Sequence, residues 1–348
     1  MTIPIQNIYY LLSYAWSRLE ESAIVDVSGI PETRLVDLFA RVLATGAKRL
    51  IRRGLDRGYL PRQEEVSCLR GRVDFDASLK RMLLERASAS CVFDELSHDV
   101  LHNQILRSTI RRLVAIRELD PGLRRELLGV DRHLGAVSLI RLSRLTFRRL
   151  QIHRHNAVYG FLMQVCDLVF KNLLVDEATG EFQFRDFTRD ENQMAALFEA
   201  FVLNFYRIER PDLDVRSELI AWDAEAADEE SAAFLPSMRT DISIRSGQRT
   251  IIIDTKYYKE TLQTHFNRST VRSSNLYQLS AYLRNLEPRG GPDAKAEGIL
   301  LYPVVAQSID LRYRISGHEV RIFTIDLAQD WSGIHMALLR LIEPSAAL

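Results

Sequence analysis

Three consecutive isoleucines, Ile251 to Ile253, run straight into Asp254 and Lys256. A strand with one wet face alternates apolar and polar residues, whereas an unbroken apolar run marks a strand covered on both faces. With the helical segments elsewhere in the chain, such a strand belongs to an expected α/β (α+β) fold. It also puts Asp254 where the chain leaves a dry core, and a charged group at that border requires a partner.

The segment around the run, MRTDISIRSGQRTIIIDTKYYK at 238–259, reads as a β-hairpin with Ser246 and Gly247 at its turn. A turn centred between Gly247 and Gln248 sets Asp241 opposite Asp254. Lys256 projects from the face of Asp254, because side chains along a strand alternate with period two. Opposed carboxylates destabilise a sheet unless a counter-charge joins them. Magnesium supplies one: it takes hard oxygen ligands, uses one or two protein carboxylates, and fills its other positions with water and phosphate oxygens. Asp241 and Asp254 are therefore the candidate metal ligands. With Lys256 polarising a scissile phosphate or orienting the attacking water, the three describe metal-assisted phosphodiester hydrolysis. A lone D-x-K on a strand is also a common surface ion pair. Asp241, at the spacing that closes the hairpin, is what weighs against that plainer reading.

Two helices flank this hairpin in sequence. The one read over 192–207 carries an apolar stripe of Met194, Leu197, Phe198, Phe201, Val202 and Phe205, and Glu199 stands beside it, as a ligand or as a solvated helix residue. The one read over 275–286 places Gln278 and Tyr282 at i, i+4, on one face, either to orient the site or to cap a packing network.

A chain of 348 residues predicts two domains. Helical spacing recurs at 6–20, 35–53, 100–117 and 157–174, with short strands at 59–75 and 90–96 and a loop at 176–186. Further on come a strand at 298–305, a hairpin of 311–315 with 320–327, and an apolar helix at 331–342. With the boundary drawn near 155, residues 1–155 form a mixed helix and strand domain. Residues 156–348 form a second domain of helices and strands. Cys68, Cys91 and Cys166 stand far apart with no CxxC pair, which excludes a sequence-local zinc cluster and predicts reduced, buried thiols. Formal net charge is zero, but residues 101–154 hold twelve Arg against four acids, while 217–238 hold six acids and no base and read as a mobile loop. The arginine block suits nucleic acid, an acidic protein surface, or simply solvated helix faces. Neither a basic leader nor a run of about 18 apolar residues occurs, so the expected location is the cytoplasm, with no membrane partner.

The candidate site resembles the PD-(D/E)xK nuclease superfamily: Asp241 on one strand, Asp254-Thr255-Lys256 on the next, Glu199 on a preceding helix, and Gln278 to Tyr282 as a following QxxxY. Thr240-Asp241 departs from the leading Pro-Asp. Over the whole chain, IPIQNIYYLLSYAW at 3–16, LRGRVDF at 69–75, HNQILRSTI at 102–110, MRTDISI, IIIDTKYYK, NLYQLSAYL and LLYP resemble the McrC family, the nuclease subunit of McrBC modification-dependent restriction systems. That resemblance implies an N-terminal adaptor that inserts into the pore of a hexameric AAA+ GTPase, McrB, and stimulates GTP hydrolysis. It implies a C-terminal PD-(D/E)xK restriction-endonuclease-like domain, with a central mixed sheet flanked by helices, that cuts double-stranded methylated DNA with Mg2+. GTP and 5-methylcytosine then belong to the partner, in agreement with the absence here of a GxxxxGK[ST] phosphate loop. Two other readings are a non-catalytic adaptor of an AAA+ motor and a stand-alone DNA repair nuclease. Three converging charges argue against the first, and a neutral chain with a large N-terminal half argues against the second.

Overall fold

The computed structural model describes residues 3–19, 34–151, 156–175, 182–258, 263–265, 268–304 and 308–344. The chain divides into two units: Glu32–Arg185, and Asp186–Leu348 together with Met1–Pro31. The division thus falls well past the boundary expected near 155. The first helix, α1 (Ile5–Ala15), belongs to the later unit.

The unit Glu32–Arg185 is built on α2 (Leu35–Arg53), whose buried Leu38, Phe39, Val42, Leu43, Ala47 and Leu50 recur at helical spacing. Against it pack α3 (Leu101–Val114), α4 (Pro121–His133) and α5 (Ala157–Asn172). The apolar helix α5 buries Phe161, Leu162, Val165, Cys166 and Val169 here, and this packing is what moves the boundary. Part of the expected loop, residues 176–181, lies outside the described residues, while Phe182–Phe184 is a strand paired with Leu173–Val175. A second layer is a three-stranded antiparallel sheet of β1 (Gly58–Val66), β2 (Arg72–Val73) and β3 (Ala89–Ser97), with β3 in the middle. The turn back from β1 requires Gly71, at φ +65°, where an added Cβ would lie 2.4 Å from the Val92 carbonyl oxygen. Cys91 and Cys166 are buried as expected, but Cys68, in that turn, is exposed. Several arginines of the basic block are spent locally. Arg107 donates to Asp131 at 3.1 Å and to the carbonyls of Gly135 and Val137, and Arg124 donates to the carbonyls of Ile116 and Arg117.

The other unit holds a six-stranded mixed sheet between helices. Its helix α6 (Glu191–Glu209) starts at Asp190, whose carboxylate accepts from the amides of Asn192 and Gln193. The strands are β4 (Asp214–Arg216), β5 (Ile242–Arg245), β6 (Thr250–Thr255), β7 (Glu297–Pro303), β8 (Asp310–Ile315) and β9 (His318–Ile325), in the order β8-β9-β7-β6-β5-β4. Parallel pairing joins β6 to β7 and β7 to β9, and the other neighbours are antiparallel. The crossover from β6 to β7 contains α7 (Ser273–Leu286), whose Leu279, Leu283 and Leu286 cover Ile252, Leu300 and Ile322. On the alternate face α6 packs against β4, β5 and β6, so every residue of β6 is buried, as its isoleucine run requires. The β8–β9 turn is the two residues Ser316 and Gly317, both at positive φ, the geometry that matches strand twist. The acidic stretch is not simply a loop: Leu219 and Ile220 pair with Arg239 and Met238 across its base, Glu229–Ala233 is helical, and Trp222 Nε1 donates to the Pro236 carbonyl at 2.6 Å.

Helix α1 closes this unit against α6 and α8 (Trp331–Leu341). Tyr10 stacks on Trp331 at 4.7 Å between ring centres, and Tyr14 meets Phe201, Phe205 and Trp331. Buried Asn7 donates from Nδ2 to the carbonyls of Leu327 and Gln329 at 2.8 and 2.9 Å. Truncating it leaves two carbonyls unpaired, so Asn7→Ala is expected to lower stability by about 1–3 kcal/mol, read from the urea midpoint. Hydrogen exchange should locate the loosening at residues 320–341 of the sheet unit, whereas loosening confined to 34–175 would contradict this placement of α1.

Candidate active site

The hairpin register is the expected one: Thr250 pairs with Arg245, Ile251 with Ile244, Ile252 with Ser243, and Ile253 with Ile242. The ladder then stops, because Asp241 sits in a bend just before β5. Its side chain does what a strand carbonyl would otherwise do. Asp241 Oδ2 accepts from the Thr255 amide at 2.8 Å and from the Thr255 hydroxyl at 2.9 Å. On its other side β6 pairs with β7, Asp254 opposite Leu300, and the Lys256 amide donates to the Leu301 carbonyl at 2.9 Å. Asp254 and Lys256 are thereby held by the β7 backbone on one flank, and by the Asp241 side chain on Thr255 on the other.

Asp254 is wholly buried, and its Oδ1 has no hydrogen-bond partner among the described residues. The Lys256 ammonium lies 2.8 Å from Oδ2 and is the partner of that oxygen. Burial pushes the Asp254 carboxyl up to about 6, with Lys256 drawing it back down and Asp241 and Glu199 adding to the rise. For Lys256 burial works against the charged form, yet Asp254 and Asp241 outweigh it and hold the ammonium above its ordinary value. Glu199, half-buried on α6, is also raised, by burial first and then by the charge of Asp241, against the pull of Arg239 and Lys256. The carboxylates of the bend before β5, of β6 and of α6 therefore feel one another.

The third side of the site is α7. Gln278 Oε1 accepts from Lys256 Nζ at 3.0 Å, and Gln278 Nε2 donates to the Tyr282 hydroxyl at 2.8 Å. Tyr282 in turn donates to the Arg239 carbonyl at 2.8 Å, two residues before Asp241. This relay connects the lysine to the backbone that sets Asp241. All six candidate residues thus meet in one place. Thr255, Arg239 and Asn275 were not singled out from the sequence. Thr255 was visible as the residue between Asp254 and Lys256, and Asn275 as the i−3 neighbour of Gln278.

A fully buried carboxylate whose Oδ1 has no donor, beside a second carboxylate, fits a divalent cation, which would satisfy that oxygen. Among the described residues no three of His, Cys, Asp and Glu form a cage, so such a cation would find two carboxylates, water and substrate oxygens. That open set is the usual magnesium arrangement in phosphoryl chemistry.

A family model described as McrBC 5-methylcytosine restriction system component matches residues 6–303. The Type IV methyl-directed restriction enzyme EcoKMcrBC of Escherichia coli (strain K12) is 33% identical over 341 residues, 98% of this chain and 97% of that protein. The chain is also similar to a solved structure, the refined half-complex from a tetradecameric assembly of Thermococcus gammatolerans McrB AAA+ hexamers with bound McrC. There the TM-score is 0.62 at 17% identity, covering 97% of this chain and 76% of that one, a likeness of fold.

Because the folded carboxyl of Asp254 titrates above its unfolded value, the folded state keeps a proton that the unfolded chain has lost. The resulting stability is fully present below the unfolded value and is lost as pH rises through about 6. In EDTA, the unfolding free energy of the wild type is expected to fall by on the order of 2 kcal/mol more than that of Asp254→Asn between about pH 4 and about pH 7. Urea titrations that run parallel in the two proteins would remove the burial argument.

Proposed function

The chain belongs to the family of McrBC 5-methylcytosine restriction system components, and from that premise we propose that its sheet unit is a Mg2+-dependent DNA endonuclease of PD-(D/E)xK type. Its substrate is double-stranded methylated DNA, and it acts in complex with a McrB-like hexameric AAA+ GTPase whose GTP hydrolysis it stimulates. The observation that carries the reading is the convergence of Asp241, wholly buried Asp254, and Lys256 at the end of β6. The solved relative's McrC bound to McrB AAA+ hexamers supports the partner. The absence of a phosphate loop in this sequence supports assigning GTP to that partner.

Asp241 and Asp254 would hold the cation, which when bound lowers the pKa of water and neutralises charge developing on the phosphoryl oxygens. The chain's own groups do the rest. Thr255 fixes one oxygen of Asp241 through two donors and so presets its orientation before substrate arrives. Lys256, charged at neutral pH and steadied by Gln278, places an ammonium against the phosphate being attacked. Tyr282, fixed on the Arg239 carbonyl, holds Gln278 and through it the ammonium. Glu199 keeps the far side of the site acidic, and serves either the cation or the attacking water.

Asp254→Ala and Lys256→Ala are each expected to slow cleavage of methylated plasmid by about 10²-fold or more while stimulation of the partner's GTP turnover stays at the wild-type level. Gln278→Ala, which only loosens the ammonium, is expected to cost about tenfold. The assay pairs gel cleavage with phosphate release in the same tube. Undiminished cutting by Asp254→Ala would sink the nuclease assignment, and loss of GTPase stimulation together with cutting would sink the division of labour.

A further inference from the structure

The helix that carries Gln278 and Tyr282 begins at a cation. Arg272 caps α7, has no ion pair among the described residues, and its buried Nε meets no hydrogen-bond acceptor there. Its guanidinium carbon lies 4.1 Å from the centre of the Tyr258 ring. Tyr258 donates from its hydroxyl to Asn275 Oδ1 at 3.4 Å, and Asn275 Nδ2 donates to the Tyr302 hydroxyl at 2.9 Å. The arginine is therefore laid on an aromatic plate that is itself tied to the first turn of the helix. A guanidinium held this way has lost its conformational freedom in advance, and its planar fork matches the oxygens of a phosphate.

Arg272, Asn275, Gln278 and Tyr282 follow at i+3, i+3 and i+4, which sets all four along one face of α7. Gln278 on that face bonds Lys256, and Asn275 on it bonds the tyrosines beside Asp254. The six residues from Arg272 to Gln278 rise about 9 Å, and a DNA strand advances about 3.4 Å per phosphate, so an anion at Arg272 stands two or three nucleotides from one beside Lys256. Ser273, Ser274 and Tyr277 are exposed, and this end of the helix is open to solvent. The need for a cation is local. The chain has no net charge, and the cleavage site adds Asp241, Asp254 and Glu199 to the path of an anionic strand.

We propose that Arg272 is a DNA-backbone contact of the nuclease unit: it grips a phosphate flanking the scissile one and sets the register in which the strand crosses Asp254 and Lys256. This rests on the nuclease reading above. Arg272 is a positioning residue, and Tyr258 and Asn275 orient it.

The test uses the full chain carrying Asp254→Ala, which blocks cutting, with a short fluorescent duplex titrated by anisotropy across a range of salt. Adding Arg272→Ala is expected to weaken binding at low salt by on the order of tenfold and to reduce the slope of log affinity against log salt by about 0.9, one phosphate contact. Arg272→Lys should recover the slope but only part of the affinity, since an ammonium keeps the charge without the planar stack. Melting temperatures are taken alongside. An unchanged slope, with any lost affinity matched by a lower melting temperature, makes Arg272 structural and overturns the proposal, as does a chain that binds no duplex. Cutting by the Asp254→Ala chain itself would instead overturn the nuclease reading, while the slope would still report on Arg272.

Discussion

Two hydrogen bonds to a single carboxylate oxygen decide whether this site exists. At the point where the β5–β6 ladder ends, the next donors along β6 are the amide and hydroxyl of Thr255, and the Asp241 side chain accepts both. A carboxylate used as a strand terminus satisfies backbone that would otherwise be buried without a partner. It also brings a negative charge against Asp254, which the sheet alone would not tolerate. The same interaction that completes the sheet therefore creates the electrostatic debt of the site.

The rest of the unit is arranged around that unresolved charge. Parallel pairing with β7 and the cover of α6 and α7 remove Asp254 from water entirely, which raises its proton affinity and leaves its Oδ1 without a donor. Lys256 offsets part of the charge from the same strand, and the Gln278–Tyr282 relay keeps the lysine from swinging away. Stability and chemistry pull in opposite directions here, as they commonly do where a fold stores a reactive arrangement.

Much of this was legible from local pattern. The isoleucine run, the turn at Ser246 and Gly247, and period-two alternation were sufficient to place Asp241, Asp254 and Lys256 together, because register in a buried hairpin is set by its turn and its apolar face. The i, i+4 spacing did the same for Gln278 and Tyr282. What local pattern left out was decided by partners far away in the chain. Helix α5 carries no mark that assigns it to α2 and α3 rather than to the sheet. Nothing near Asn7 announces a carbonyl three hundred residues on. Leu219 and Ile220 look like loop until Met238 and Arg239 are seen to pair with them. Cys68 is a small apolar residue by composition and becomes exposed only because the chain reverses at Gly71.

The position of α1 has a temporal meaning. Its amide and aromatic partners, Leu327, Gln329 and Trp331, lie at the opposite end of the sequence, so they leave the ribosome long after α1 does. Glu32–Arg185 can assemble from contacts within itself while synthesis continues, whereas the sheet unit cannot close until its last helix has been made. A nascent chain is thus able to present the first unit to its surroundings while the site around Asp254 is still unformed, and the order of synthesis itself delays its appearance.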